Sequence, residues 1–266
     1  MNIASLTNTI FENIPNSNGK FTKHFHNTYT IGLTHDGMFK SINEKQSTLS
    51  YKYSTRVINP NEIHHGDSTS WKYTNFYPEV ELLIDMYEQI FLEKKIPIFT
   101  THIIQDSILY DLLRKFFISI FYNHEKILIE TNMINALSYL IKNHTNTTKE
   151  YDTSSNENTI IKNSIELIND TLSMNLSLDD LAQNSSLSKY HFLRVFKKHT
   201  GLTPHQYILS TRINKVKNLI IKGETPINAS LNAGFNDQSH FIRNFRNMYG
   251  YSPKILQEKS NFILYK

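Results

Sequence analysis

The sequence predicts an α+β protein: a β-rich module followed by helices in the front part, and an all-α back part. Three observations carry that reading. Residues 21–78 alternate in the manner of strands, residues from 80 onward carry apolar side chains at helical spacing, and a fifteen-residue pattern recurs near the C-terminal end.

The strand-like region opens with FTKHFHNTYTIGLTHDGMF, in which aromatic and β-branched residues alternate before a turn at His35-Asp36-Gly37. Shorter β-like pieces follow at Ser50–Tyr53 and Arg56–Ile58, and Asn59-Pro60-Asn61 signals a turn. Beyond Pro78 the period changes. Val80, Leu83, Ile84, Tyr87, Ile90 and Phe91 recur at spacings of three and four, and further amphipathic runs cover Ile104–Phe121 and Ile127–Ile141. From Asn143 to Thr159 the chain reads NHTNTTKEYDTSSNENT, polar and aperiodic, which predicts a linker between a front domain (1–142) and a back domain (160–258). In the back part Ile161, Ile165 and Ile168 form an apolar stripe, and Ser177 before Leu-Asp-Asp-Leu has the features of an N-cap.

Composition narrows the function classes. With 39% hydrophobic residues and 12% aromatics the chain has the material for cores, so disorder throughout is excluded. There is no cysteine, which removes disulfides and thiolate metal sites and suits a reducing compartment. The first twenty residues lack a basic start and an apolar run, and the stretch Phe116–Tyr122 is far shorter than the ~20 residues a membrane helix needs. A cytoplasmic protein without membrane contact is the expectation. Charge is uneven: residues 1–149 hold 14 basic and 14 acidic side chains, whereas residues 160–256 hold 12 basic against 6 acidic. A local cationic excess is the first footprint of a polyanion binder.

The repeat sharpens this. Tyr190–Pro204 (YHFLRVFKKHTGLTP) and Ser239–Pro253 (SHFIRNFRNMYGYSP) align without a gap at an offset of 49. His191/His240, Phe192/Phe241, Arg194/Arg243, Phe196/Phe245, Gly201/Gly250 and Pro204/Pro253 are identical, and Leu193/Ile242, Lys197/Arg246 and Thr203/Ser252 are conservative. Upstream the match shifts by one residue, with Ala182 opposite Ser230. Each copy reads as a short helix, a tight turn and a second helix with an apolar stripe (Phe192, Val195, Phe196) and a polar, cationic outer face (Lys189, Tyr190, Arg194, Lys198). Such a helix fits a DNA major groove, where arginine pairs with guanine and glutamine with adenine. The four phenylalanines are expected in the core rather than as stacking platforms.

GFNDQSHFIRNFRNMYGYSPKIL resembles the signature end of the AraC/XylS family of bacterial regulators, and SLDDLAQNSSLSKYHFLRVFKKHTGLTPHQYILSTRINKVKNLI resembles that family's first unit and connecting helix. The resemblance implies two helix-turn-helix subdomains joined by a helix at about residues 204–222. It also implies base-reading positions: Lys189, Tyr190, Leu193 and Arg194, with Lys198 on the same face, in the first unit, and Asn236, Gln238, Ser239, Ile242 and Arg243 in the second. It further implies dimerisation through the front part, double-stranded DNA and RNA polymerase as partners, and activation as the direction of control. Two departures stand out: Ser186 where a glycine is common, and Ser230 where an alanine is common.

The front part resembles the small cupin-like β-barrel sensor of many family members. His24-Phe-His26, Tyr29, Glu62, His64, His65 and Trp71 are its candidate effector-binding residues, with Tyr73 and Phe76 as further apolar wall candidates. His24, His26 and His65 have the pattern of a metal trio, but the glutamate expected after the second histidine is replaced by Thr30 and Ile31, so no metal or other cofactor is expected. No nucleophile with a base partner and no phosphate-cradling loop is visible, so no enzyme is read. The reading is therefore a sequence-specific DNA-binding regulator controlled by a small molecule. Two rivals stay open: a metal-dependent cupin enzyme with a DNA-targeting tail, and an effector-independent DNA binder.

Overall fold

Strand-forming sequence begins earlier than expected, with β1 at Ile10–His24. Its polar centre, Asn16-Ser17-Asn18-Gly19, hides it from propensity; pairing to neighbouring strands, not composition, makes it a strand. The computed structural model describes residues 6, 9–150, 156–174, 176–257 and 262–264. By its contacts the chain forms two units. The front unit comprises 1–20, 25–151 and 258–266, and the back unit 21–24 with 152–257.

The front unit continues with β2 (Thr30–Ile42), β3 (Ser47–Ser50), β4 (Thr55–Ile58), β5 (His64–Tyr77) and α1 (Val80–Phe91). Then come β6 (Lys95–Ile98), β7 (Ile103–Ile104), α2 (Ser107–Phe121), α3 (Lys126–His144) and β8 (Thr147–Glu150). Together with the C-terminal β9 (Phe262–Leu264) they make a seven-stranded sheet of order β7-β4-β2-β5-β1-β9, with β3 on β2, and a separate β6-β8 pair. β2 is the hub, antiparallel to β3, β4 and β5, with its register shifting around His35–Met38.

Side-chain alternation gives the sheet two unlike faces. Phe11, Ile31, Leu33, Val57 and Phe76 join Leu83, Leu113, Phe116, Met133, Leu137 and Leu140 of α1–α3 in one core. Each aliphatic side chain buried there contributes about 1.5–3 kcal/mol. α2 is started by Asp106, whose carboxylate accepts from the Ile108 and Leu109 amides. The residues between those core positions, Glu12, Gly32, Arg56 and Asn75, belong to the other face.

Residues expected as linker are partly structured. Residues 143 and 144 end α3, and β8 pairs antiparallel with β6, Thr147 facing Ile98 and Glu150 facing Lys95. Thr147 and Thr148 are β-branched, and an edge pairing satisfies their backbone without needing aliphatic side chains. Residues 151–155 of the expected linker lie outside the described residues, and 156–159 already begin a helix.

The back unit is helical: α4 (Asn156–Asp170), α5 (Leu178–Asn184), α6 (Lys189–Thr200), α7 (Pro204–Ile221), α8 (Pro226–Asn232), α9 (Gln238–Tyr249) and a final 3-10 turn at Pro253–Gln257. Ser177 caps α5 in a capping box with Asp180, and Thr203 does the same for α7 with Gln206. Among the described residues no helix is long and apolar enough to cross a membrane.

Candidate nucleic-acid interface and effector side chains

The repeat is a repeat of structure. α6 and α9 each start on a side-chain cap (Ser188, Asp237) and end on a left-handed glycine (Gly201 at φ 70°, Gly250 at φ 77°). The preceding turns match at the shifted offset: Leu187 N–H donates to the Ala182 carbonyl at 3.1 Å, and Phe235 N–H to the Ser230 carbonyl at 3.0 Å. Between them lie Ser186 at φ 53° and Gly234 at φ 91°. The first helix-turn-helix copy therefore holds a side chain in a left-handed turn where the second has glycine. Ser186→Gly is expected to stabilise the first copy by about 1 kcal/mol, read as a higher urea midpoint with an unchanged slope. At Gly234 the turn also needs space, because a Cβ there would meet the Leu172 carbonyl oxygen at 2.8 Å. Arg212 of α7 holds that same strip, donating to the Leu172 and Met174 carbonyls at 2.9 and 2.8 Å.

Apolar stripes seat both second helices. Phe192, Phe196 and Phe245 are 0% exposed and Phe241 1%, as expected for core residues. Phe196 packs edge-on to Tyr207 of α7, centroids 5.5 Å apart. Phe245 contacts Phe241, Tyr249 and Tyr251, and the Tyr249 hydroxyl donates to Asn214 of α7 at 2.6 Å. Both helices are thereby fixed in rotation, and their opposite faces are presented to solvent.

On those faces Lys189, Tyr190, Arg194 and Lys198 are exposed and Leu193 is half-buried; Asn236, Gln238, Ser239 and Arg243 are exposed and Ile242 is half-buried. Arg194 and Arg243 thus occupy equivalent exposed positions one turn into their helices. Lys189 departs from expectation in one respect, because its Nζ lies 2.6 Å from Asp179 of α5. Cations also gather in the last turns, Lys197 and Lys198 on α6 and Arg246 on α9, where they complement the helix dipoles.

The seven expected effector residues lie in different surroundings. Tyr29 lies in the core between sheet and helices, its hydroxyl donating to the Pro97 carbonyl at 2.7 Å, and Phe76 joins the same core. Both are core side chains: Phe76 is turned toward α1–α3 by strand alternation in β5, and Tyr29 packs there from the residue just before β2. Trp71 is stacked between Phe39 and Tyr73, at centroid distances of 4.3 and 3.9 Å. Glu62 is taken up by a polar network, accepting from Asn59, from Asn43 and from the buried His102 at 2.8 Å. Those bonds hold its carboxyl down at about 2 against the opposing effect of burial.

Among the described residues the histidine group with metal-ligand geometry is His24, His26 and His64, whose ligand atoms all lie within 4.8 Å of one another. His65 is not part of it, since the strand pleat sends consecutive side chains to opposite faces. His24 Nδ1 lies 2.7 Å from the Thr22 carbonyl and His64 Nδ1 2.9 Å from the Glu62 carbonyl, so Nδ1 donates in both and Nε2 is the nitrogen with which each ring could hold a metal. That is a donor set suited to a borderline divalent metal.

Sequence reading missed Arg56, Glu12, Asn75 and His102. Arg56 and Asn75 sit in β-like runs where a charged or amide residue reads as an outward face. Only pairing across strands shows that both are buried.

Two family models match this chain, a helix-turn-helix domain over residues 181–259 and an AraC-like ligand binding domain over 15–137. The TetD protein of transposon Tn10 from Escherichia coli is 33% identical over 105 residues, which cover 39% of this chain and 76% of TetD. The chain belongs to the AraC family of transcription regulators. A second family relative, the uncharacterised regulator YbfI of Bacillus subtilis, is 28% identical over 228 residues, covering 83% of this chain and 81% of YbfI. The fold is also that of ToxT from Vibrio cholerae. An apo variant superposes with a TM-score of 0.66 at 15% identity, covering 95% of this chain and 97% of ToxT. ToxT with an unsaturated fatty acid bound gives 0.63 at 13% identity, covering 93% and 94%. Membership in the AraC family makes the back unit a helix-turn-helix DNA-binding domain and the front unit a ligand-binding domain.

Proposed function

We propose that this regulator is sequence-specific, acts as an activator in concert with RNA polymerase, and is controlled by a small molecule bound in the front unit. The observation that carries the DNA reading is the equivalence of Arg194 and Arg243: two exposed arginines on two helices whose opposite faces are locked by matching phenylalanines. In this reading α6 and α9 enter successive major grooves. Lys189, Tyr190, Leu193, Arg194, Lys198, Asn236, Gln238, Ser239, Ile242 and Arg243 face the DNA, the arginines reading bases and the lysines holding phosphates. Lys189 must exchange Asp179 for phosphate, so its net contribution is the smaller.

Control by an organic effector draws support from the ligand-binding domain match and from ToxT, which accommodates a fatty acid on the same fold. Homodimerisation is supported by the apolar side chains Ile118, Tyr122, Ile127 and Leu128, exposed on and around the α2–α3 turn.

The test is a salt-titrated binding assay on DNA tiles flanking the protein's own gene. Arg194→Ala and Arg243→Ala are each expected to cost about 1–3 kcal/mol on the preferred tile and to flatten the preference among tiles. Lys198→Ala is expected to weaken all tiles alike and to lower the salt slope by about one. If no tile is preferred by wild type at low salt, with or without cell extract, sequence-specific regulation is the wrong reading.

A further inference from the structure

The face of the sheet turned away from the helices contains a buried arginine with no ion pair among the described residues. Arg56 of β4 is 7% exposed. Its Nη2 donates to Asn75 Oδ1 at 3.0 Å, its Nε–H has no hydrogen-bond partner, and no carboxylate pairs directly with it among the described residues. The guanidinium also lies against two ring faces, its carbon 5.1 Å from the centre of Phe39 and 4.9 Å from that of Trp71. Rings stabilise a cation but accept no in-plane hydrogen bond.

The arrangement is built by the register. Arg56, Gly32 and Asn75 lie on one rung across β4, β2 and β5. Arg56 reaches Asn75 only because the middle residue has no side chain, since a Cβ on Gly32 would sit 1.8 Å from Asn75 Oδ1. The nearby acid, Glu12 of β1, accepts from Asn75 Nδ2 at 3.0 Å and from the Tyr77 hydroxyl, so its charge reaches Arg56 through the amide rather than by contact. Leaving a cationic N–H buried and unpaired costs several kcal/mol unless something supplies an acceptor.

We propose that Arg56 is the anchor of a site for the carboxylate of a small organic acid, its Nε–H edge pairing with the carboxylate. Guanidinium and carboxylate match in planar, two-point geometry, and the stacked row Phe39–Trp71–Tyr73 beside Arg56 offers the organic remainder an apolar flank that an inorganic anion does not use. This inference rests on the effector reading of the front unit and gives that effector its chemical class.

Trp71 is the single tryptophan of the chain, and its ring adjoins the guanidinium, so its emission reports on this site. Full-length protein would be titrated with hexanoate, with the neutral hexanamide and with inorganic phosphate, following Trp71 emission and thermal midpoint. Hexanoate is expected to give a saturable change with a Kd of about 1 mM, as befits a ligand of few atoms, and to raise the midpoint. Hexanamide and phosphate are expected to bind at least about tenfold more weakly. Arg56→Met is expected to abolish the hexanoate response while the protein stays folded, because replacing a buried charge by an apolar side chain of similar length is commonly tolerated. Arg56→Lys keeps the charge without the fork and is expected to respond in between, which separates loss of the anchor from loss of the fold. Equal responses to hexanoate and hexanamide, or to hexanoate and phosphate, overturn the assignment, as does silence toward hexanoate in wild type. Silence with intact tile preference removes the carboxylate site alone. Loss of tile preference removes the regulator reading whatever hexanoate does.

Discussion

Phe245→Ala is expected to cost the second reader about 3–5 kcal/mol and to abolish tile discrimination altogether, a larger effect than removing either arginine. Phe245 is fully buried and touches three aromatic rings, those of Phe241, Tyr249 and Tyr251, at 4.9–5.9 Å. Truncation removes the transfer free energy of the ring, leaves a cavity, and forfeits ring–ring contacts of about 0.5–1.5 kcal/mol each. A domain has a margin of only about 5–15 kcal/mol in total, so a subdomain of this size cannot absorb the loss. Hydrogen exchange should show protection falling across 226–257 while the α2–α3 core of the front unit stays protected. The offset twin, Phe196→Ala, should do the same to the first reader. A loss under about 1 kcal/mol with discrimination intact would show that Phe245 does not set the rotation of α9.

Acid should destabilise the front unit in two steps with separate owners. Burial holds His35 neutral, its pKa down at about 4 from 6.5, with Lys72 adding to the effect. Its ring nitrogens meet the Tyr110 hydroxyl at 3.0 Å and the Thr74 hydroxyl at 2.7 Å. Between pH 6.5 and about 4 the unfolded chain takes up a proton at this residue that the folded chain refuses, so stability falls with falling pH. Glu62 works in the window below. Its folded pKa of about 2 lies under the usual carboxylate value of 4.5, so its contribution is complete above 4.5 and is lost as pH falls toward 2. The amount is about 2–3 kcal/mol, since each pKa unit is worth about 1.4 kcal/mol and the side chain is mostly buried. Glu62→Gln should remove the lower step and reduce stability at neutral pH by a similar amount, because the hydrogen bonds from His102, Asn59 and Asn43 then lose their carboxylate acceptor. His35→Gln should flatten the upper step. Urea unfolding of each variant across pH checks both, and an unchanged lower step in Glu62→Gln would transfer that step to another carboxylate.

The parts of this protein legible in its sequence are those made by local periodicity. The 49-residue offset, the phenylalanine stripes of α6 and α9 and the exposed arginines opposite them follow from helical spacing within some fifteen residues, and the left-handed turn at Ser186 is signalled by the family resemblance, in which a glycine is common there. Helix geometry ties side-chain direction to sequence spacing, so one dimension suffices. The front unit is different. Tyr29 and Trp71 both read as pocket aromatics, yet Tyr29 joins the core under the helices and Trp71 stands in a stacked row. His64 rather than His65 joins His24 and His26 for the same reason. The Arg56–Gly32–Asn75 rung and the Glu62–His102 pair join residues 19–43 and 40 positions apart, and neither exists until the strand register and the loop carrying His102 are set. In a sheet the partner across the rung, not the neighbour along the chain, decides which polar group is buried and what it meets. Sequence therefore determined which helix faces the back unit exposes, and tertiary structure decided which polar side chains the front unit buries and what they meet.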